Sequence, residues 1–111
     1  MRVKIPISLK RRRRYVRFRV YGDEVRGEDI MREISRSIVR LWGVVGSSQC
    51  YKRLVEFNGG EGILATDHKS IDMLLSTIGL ISSIGDKNVA IHVIKISGTF
   101  KGVKESNHLK W

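Results

Sequence analysis

Cysteine is nearly absent from this chain: Cys50 stands alone, so no intramolecular disulfide can form, and a small unstapled domain fits a reducing compartment. Long hydrophobic runs are absent as well. No apolar stretch approaches the roughly eighteen residues that a membrane span needs, and charge occupies the N-terminal stretch where a signal peptide would need its hydrophobic segment. We therefore expect a cytoplasmic protein with no membrane partner. Catalytic constellations are also missing. His68, His92 and His108 are isolated, Cys50 has no CxxC or histidine partner at metal-ligand spacing, and neither HExxH nor GxxxxGK[ST] occurs. Gly59-Gly60-Glu61-Gly62 does not match GxGxxG and is better explained as a hairpin turn. Glu56 and Glu61 across that turn, and Asp67 and Asp72 near a helix start, form no obvious cluster for two-metal nuclease chemistry. His92, between Ile91 and Val93, is expected to be a packed strand residue. These residues alone predict an isolated protein that is not catalytic and binds no metal or cofactor.

Positive charge is what the chain has in excess. Its 111 residues carry 21 basic and 11 acidic side chains, a formal charge of +10. Residues 1–22 hold nine Lys or Arg and no acid, residues 20–94 hold eight basic and ten acidic residues, and the stretch from Lys95 to Trp111 holds four basic and one acidic. A nearly neutral body with two basic ends predicts an N-terminal arm at 1–14, one α/β domain at 15–103 and a basic tail at 104–111; the length leaves room for a single core. Within the arm, Lys10-Arg11-Arg12-Arg13-Arg14 is too repulsive to pack against itself. It suits phosphates, because each guanidinium offers a planar fork of donors that matches two phosphate oxygens. A solvated tail or a localisation signal is the plainer reading, but the run leads straight into a strand that keeps Arg17 and Arg19 on one face. Lys10, Arg11, Arg12, Arg13, Arg14, Arg17 and Arg19, with Lys101 and Lys104 near the other end, are the candidate RNA-binding residues.

Tyr15 to Tyr21 alternates, with Val16, Phe18 and Val20 on one face and Tyr15, Arg17, Arg19 and Tyr21 on the other, the period of a half-buried strand. Ile30, Ile34, Ile38, Leu41 and Trp42 recur at helical spacing from about Glu28 to Trp42, with Gly43 after the last turn. Val44 to Cys50 and Arg53 to Phe57 look extended. Asn58-Gly59 supplies two positive-φ residues for a hairpin, and Glu61 to Thr66 is the returning strand. A second helix, capped by Thr66 or Asp67, runs to about Ser82 on the stripe Ile71, Leu74, Leu75, Ile78 and Ile81; Gly85-Asp86 ends that segment, and Val89 to Ile96 is a last strand. The order βαββαβ predicts an α+β sandwich of ferredoxin-like or RNA-recognition-motif-like type, with a four-stranded antiparallel sheet and both helices on one face. Readers of single-stranded RNA on such sheets stack bases on aromatics of the two central strands, and Glu61 to Thr66 has none. Backbone and shape contacts to structured RNA are therefore expected over sequence readout.

Arg32, Arg36 and Arg40 recur opposite the apolar stripe of the first helix, beside Glu28 and Glu33, which predicts a solvated face laced with ion pairs. The second helix is less ordinary. Met73, Leu80 and Ile84 lie opposite its core stripe, so that it is apolar on two sides, and these three are the candidate protein interface unless the C-terminal segment folds over them.

Arg13-Arg14-Tyr15-Val16-Arg17-Phe18, Arg32-Glu33-Ile34, Leu41-Trp42-Gly43-Val44-Val45-Gly46, Arg53-Leu54-Val55-Glu56-Phe57-Asn58, Gly62-Ile63-Leu64, His68-Lys69-Ser70, Val89-Ala90-Ile91 and Ile96-Ser97-Gly98-Thr99 follow one another over about Arg13 to Lys104. In order and spacing they resemble the archaeal ribonuclease P protein component 2 family, related to the eukaryotic small subunit shared by ribonuclease P and ribonuclease MRP. The resemblance implies a subunit of the ribonucleoprotein endonuclease that removes 5′ leaders from precursor tRNA, in which the RNA holds the active site and the catalytic Mg²⁺. It also implies a complex with ribonuclease P protein component 3, a TIM-barrel-like subunit, as a heterodimer or as a heterotetramer with two copies of each. Arg13, Arg14 and Arg17 are the matched basic positions that it offers as RNA contacts. The alternatives left by the residues are an RNA-binding protein of another ribonucleoprotein, such as a ribosome-associated factor, a small-ligand regulatory domain using Gly59, Gly60 and Gly62, and a protein nuclease.

Overall fold

The computed structural model describes residues 13–104. Eight elements follow in order: β1 (Arg13–Gly22), α1 (Gly27–Ser48), β2 (Lys52–Asn58), β3 (Glu61–Asp67), α2 (Ile71–Leu80), β4 (Ser83–Ile84), β5 (Lys87–Ser97) and α3 (Phe100–Lys104). The strands form one antiparallel sheet in the order β2-β3-β1-β5-β4. Alternation in β1 works as expected: Val16 and Phe18 are fully buried, while Tyr15, Arg17 and Arg19 point to the other face. Ile30, Ile34 and Ile38 of α1 and Leu74 and Ile78 of α2 close over Val16, Phe18 and Leu64 as a single core. Both long helices thus cover the same side of the sheet.

Four expectations need correction. The sheet has five strands, because Gly85-Asp86 is a tight turn, with Gly85 at φ +66°, that pairs Ser83 and Ile84 with Asn88 and Lys87. Helix α2 accordingly stops at Leu80, where Ile81 turns extended. In the β2–β3 hairpin the positive-φ pair is Gly59-Gly60, and Asn58 remains in the ladder opposite Glu61; two glycines take left-handed geometry with less strain than Asn-Gly. Val44 to Cys50 is not extended. Gly43, at φ +83° and ψ 173°, kinks the chain, and the helix resumes to Ser48, leaving Leu41, Trp42, Val44 and Val45 exposed.

Gly62 decides how closely the sheet can be packed. A Cβ there would lie 2.7 Å from Phe18 Cζ, 2.8 Å from Phe57 Cδ1 and 2.9 Å from the Glu56 carbonyl oxygen. Its absence lets the rings of Phe18 and Phe57 stack at 6.2 Å over the strand. Bulges, after Leu54 in β2 and between Val93 and Lys95 in β5, shift the register at both flanks of the central pair.

Candidate nucleic-acid interface

Lys10, Arg11 and Arg12 lie outside the described residues. Of the remaining candidates, Arg13, Arg17 and Arg19 share the face of β1 turned away from the two long helices, and Arg14, of opposite parity, points to the other side. Lys101 and Lys104 join the first group through α3, a helix that has no counterpart in the sequence reading. Thr99 Oγ1 accepts from the Gly102 amide and caps its start. Its last carbonyls, which no helical partner can satisfy, receive Arg17 Nη1 at 3.5 Å (Val103) and 3.4 Å (Lys104). Val103 is fully buried, and Phe100 meets the Tyr15 ring edge-on at 5.9 Å. The C-terminal segment therefore folds over the sheet's second face, on the opposite side from α2. It covers the Tyr15 end of that face.

Cross-strand register places Arg19 opposite Glu61 and Arg17 opposite Ile63, two residues along, so one carboxylate reaches both guanidiniums. Glu61 Oε2 accepts from Arg17 Nε at 2.5 Å and Oε1 from Arg19 Nη1 at 3.0 Å. Lys104 Nζ donates to Glu56 Oε2 at 3.0 Å and sits over the Phe100 ring. Arg17, Glu56, Asn58, Glu61, Gly62, Ile63 and Lys104 line an open cleft of about 230 Å³. Glu56 and Glu61 thus serve as partners of cations. Arg13 lies over the Tyr51 ring at 5.4 Å and donates to its hydroxyl.

At the other end of this face Arg19 approaches the ring of Tyr21, which is half-exposed and meets the imidazole of His92 edge-on at 5.0 Å. His92 is exposed, against the expectation of a packed residue, because its register opposite Arg19 puts it on the polar face. Lys101 is exposed and forms no ion pair among the described residues, and Arg14 donates a hydrogen bond to the Arg13 carbonyl. On α1 the ion-pair lacing is present with Asp29 in the place expected for Glu28: Arg32 pairs with Asp29, and Arg36 and Arg40 with Glu33.

The predicted protein-interface residues separate. Leu80 is 67% exposed. Met73 is half-buried against the core, and Ile84 is buried within it, because the chain leaves the helix at Ile81 and Ile84 enters β4. Thr77 on the same side of α2 is also buried; its hydroxyl accepts from Trp42 Nε1 at 3.3 Å, so α1 covers part of that side. The larger apolar surface was missed by sequence reasoning: it is the kinked end of α1, where Val44 and Val45 are 73% and 71% exposed beside half-exposed Leu41 and Trp42.

Among the described residues no three His, Cys, Asp or Glu side chains are grouped to hold a metal ion, and no helix is long and apolar enough to cross a membrane. Burial pushes the Cys50 thiol above the ordinary range, and Lys52 opposes that only in part.

The model of the Rpp14/Pop5 family matches residues 14–107. A Methanosarcina mazei protein named ribonuclease P protein component 2 is 30% identical over 99 residues, covering 88% of this chain and 85% of that protein. A Methanococcus aeolicus protein of the same name is 26% identical over 102 residues, 91% and 76% of the two chains. A chain in a cryo-EM structure of yeast ribonuclease MRP superposes with a TM-score of 0.68 at 10% identity, over 80% of this chain and 76% of that one, a likeness of fold.

Proposed function

The chain belongs to the Rpp14/Pop5 family, and from that premise we propose that it acts as a protein subunit of ribonuclease P, binding and stabilising the RNA that removes 5′ leaders from precursor tRNA. The match across residues 14–107, together with relatives of that name aligned over most of their length, carries this reading. We read the four long strands and two long helices as a ferredoxin-like scaffold with a short added strand. In the finer reading the isolated protein does not cleave, the RNA supplies the active site and holds Mg²⁺, and the work is done in the cytoplasm.

The physical contribution is positive charge brought to the RNA. Bringing the helices of a folded RNA together concentrates phosphates, and mobile cations must otherwise screen them; fixed Lys and Arg replace part of that cloud and release counterions. Lys10 to Arg14 supply the densest run of such charge, and Lys101 adds an exposed cation on α3. A partner protein, in this reading ribonuclease P protein component 3, covers the apolar surface of Leu41, Trp42, Val44, Val45 and Leu80. Exposed aliphatic side chains in such number on so small a domain favour an obligate protein neighbour. Self-association within a heterotetramer belongs to the same reading.

Replacing Arg11 to Arg14 with Ala tests the charge argument. The Mg²⁺ concentration for half-maximal cleavage by the reconstituted particle is expected to rise severalfold; an unchanged requirement would place the RNA contact elsewhere.

A further inference from the structure

Glu61 pairs with two of the three guanidiniums on this face of β1, those of Arg17 and Arg19. Its carboxylate presents two oxygens to Arg17 Nε and Arg19 Nη1, the planar two-oxygen geometry that a phosphodiester offers to the same donors. Resting on the reading of this protein as an RNA binder, we propose that Glu61 is an intramolecular stand-in for phosphate, so that Arg17 and Arg19 form a gated RNA contact, engaged when a backbone phosphate displaces the carboxylate.

Three features make the exchange physically accessible. The pair is partly solvated, with side chains 24%, 41% and 25% exposed for Arg17, Arg19 and Glu61, so water and an incoming anion can reach it. Glu61 is the first residue of β3, directly after the Gly59-Gly60 turn, and its side chain borders the open cleft of about 230 Å³, which has room for a phosphate group. The surroundings stay cationic when the carboxylate swings out, because Arg17 and Arg19 are the cations that Glu61 releases. Glu56 keeps Lys104 by its own ion pair and does not compensate for the loss of Glu61.

The gate also bears on selectivity. With Glu61 in place, Arg17 and Arg19 together carry one net positive charge, so weak encounters with isolated phosphates gain little there. An RNA already anchored by the arm and by Lys101 brings a phosphate at high local concentration and displaces the carboxylate.

The test measures affinity of the full chain for ribonuclease P RNA as a function of salt, for wild type, Glu61→Gln, Arg17→Ala/Arg19→Ala and the triple variant. Glu61→Gln is expected to tighten binding about five- to tenfold near 0.1 M salt and to steepen the slope of log K against log salt by about 0.7 for the one single-stranded phosphate gained. Removing the arginine pair should cost severalfold more affinity in the Glu61→Gln background than in the wild type, a coupling that a purely structural ion pair would not give. Thermal melting of each variant separates lost folding from lost contact. Equal or weaker binding by Glu61→Gln, or equal arginine effects in both backgrounds, overturns the gate while leaving the RNA-binding reading intact. A folded wild-type chain with no salt-dependent affinity for the RNA overturns both.

Discussion

Replacing Gly62 with Ala tests the packing behind the basic face. The added methyl would stand 2.7 Å from Phe18 Cζ, 2.8 Å from Phe57 Cδ1 and 2.9 Å from the Glu56 carbonyl oxygen, each about 0.5 Å or more inside normal contact. Phe18 is fully buried in the core, and the carbonyl belongs to the neighbouring strand, so neither can yield without moving the core or the ladder. Overpacking of this kind costs about 1–3 kcal/mol. Ala in a strand regains about 0.5–1 kcal/mol over Gly, for a net loss near 1–2 kcal/mol. In a domain of about 100 residues that lowers Tm by about 5–15 °C. Thermal unfolding followed by circular dichroism measures it, and a second variant, Gly62→Ala with Phe57→Leu, should lose less than the two single changes together because the shortened side chain relieves one clash. A Gly62→Ala protein that melts at or above the wild-type temperature would refute the reasoning.

Leu80→Glu is expected to leave the circular dichroism spectrum and melting temperature within error of wild type, because Leu80 is largely solvent-exposed, while weakening complex formation with component 3 by at least tenfold in size-exclusion or titration measurements. Undiminished assembly would move the interface off α2. Cys50 should react with iodoacetamide far more slowly than a free thiol at pH 8 and at full rate in denaturant, since it is buried and its thiol is held above the usual range. The same shift has a definite sign in stability. The folded chain keeps the proton that the unfolded chain loses, so this contribution is fully present below the ordinary thiol pKa and is lost as pH rises through the raised folded value. Native alkylation at the free-thiol rate would contradict the buried placement.

Much of the scaffold is legible in the chain because its signals are periodic. Val16 and Phe18 against Arg17 and Arg19 report a two-residue period, and Ile30, Ile34 and Ile38 report a helical one; each pattern is imposed by a single buried face. Punctuation misleads where it has two meanings. Gly43 marks a stop, but the helix bends there and continues, and β-branched Val44 and Val45 look extended because their exposure on a helix violates the rule that such residues are buried. Gly85-Asp86 ends one element and also starts a hairpin. The five residues of α3 are too few for a periodic signal; its cap at Thr99 is local, but its tether at Arg17 arises from tertiary contact. The site was half legible for the same reason. Which arginines share a face follows from alternation alone, whereas the capture of two of them by Glu61 follows from the β1–β3 register. Pairing Arg19 opposite Glu61, the residue after the glycine turn, was the available clue.

Cleavage of precursor tRNA by ribonuclease P RNA at limiting Mg²⁺, with this protein and component 3 together and with each omitted, tests the central claim most directly. The pair is expected to restore cleavage, either protein alone to give less, and the proteins without RNA to cut nothing. Failure of the pair to restore cleavage with both proteins folded, or cleavage by the proteins in the absence of the RNA, would contradict the claim.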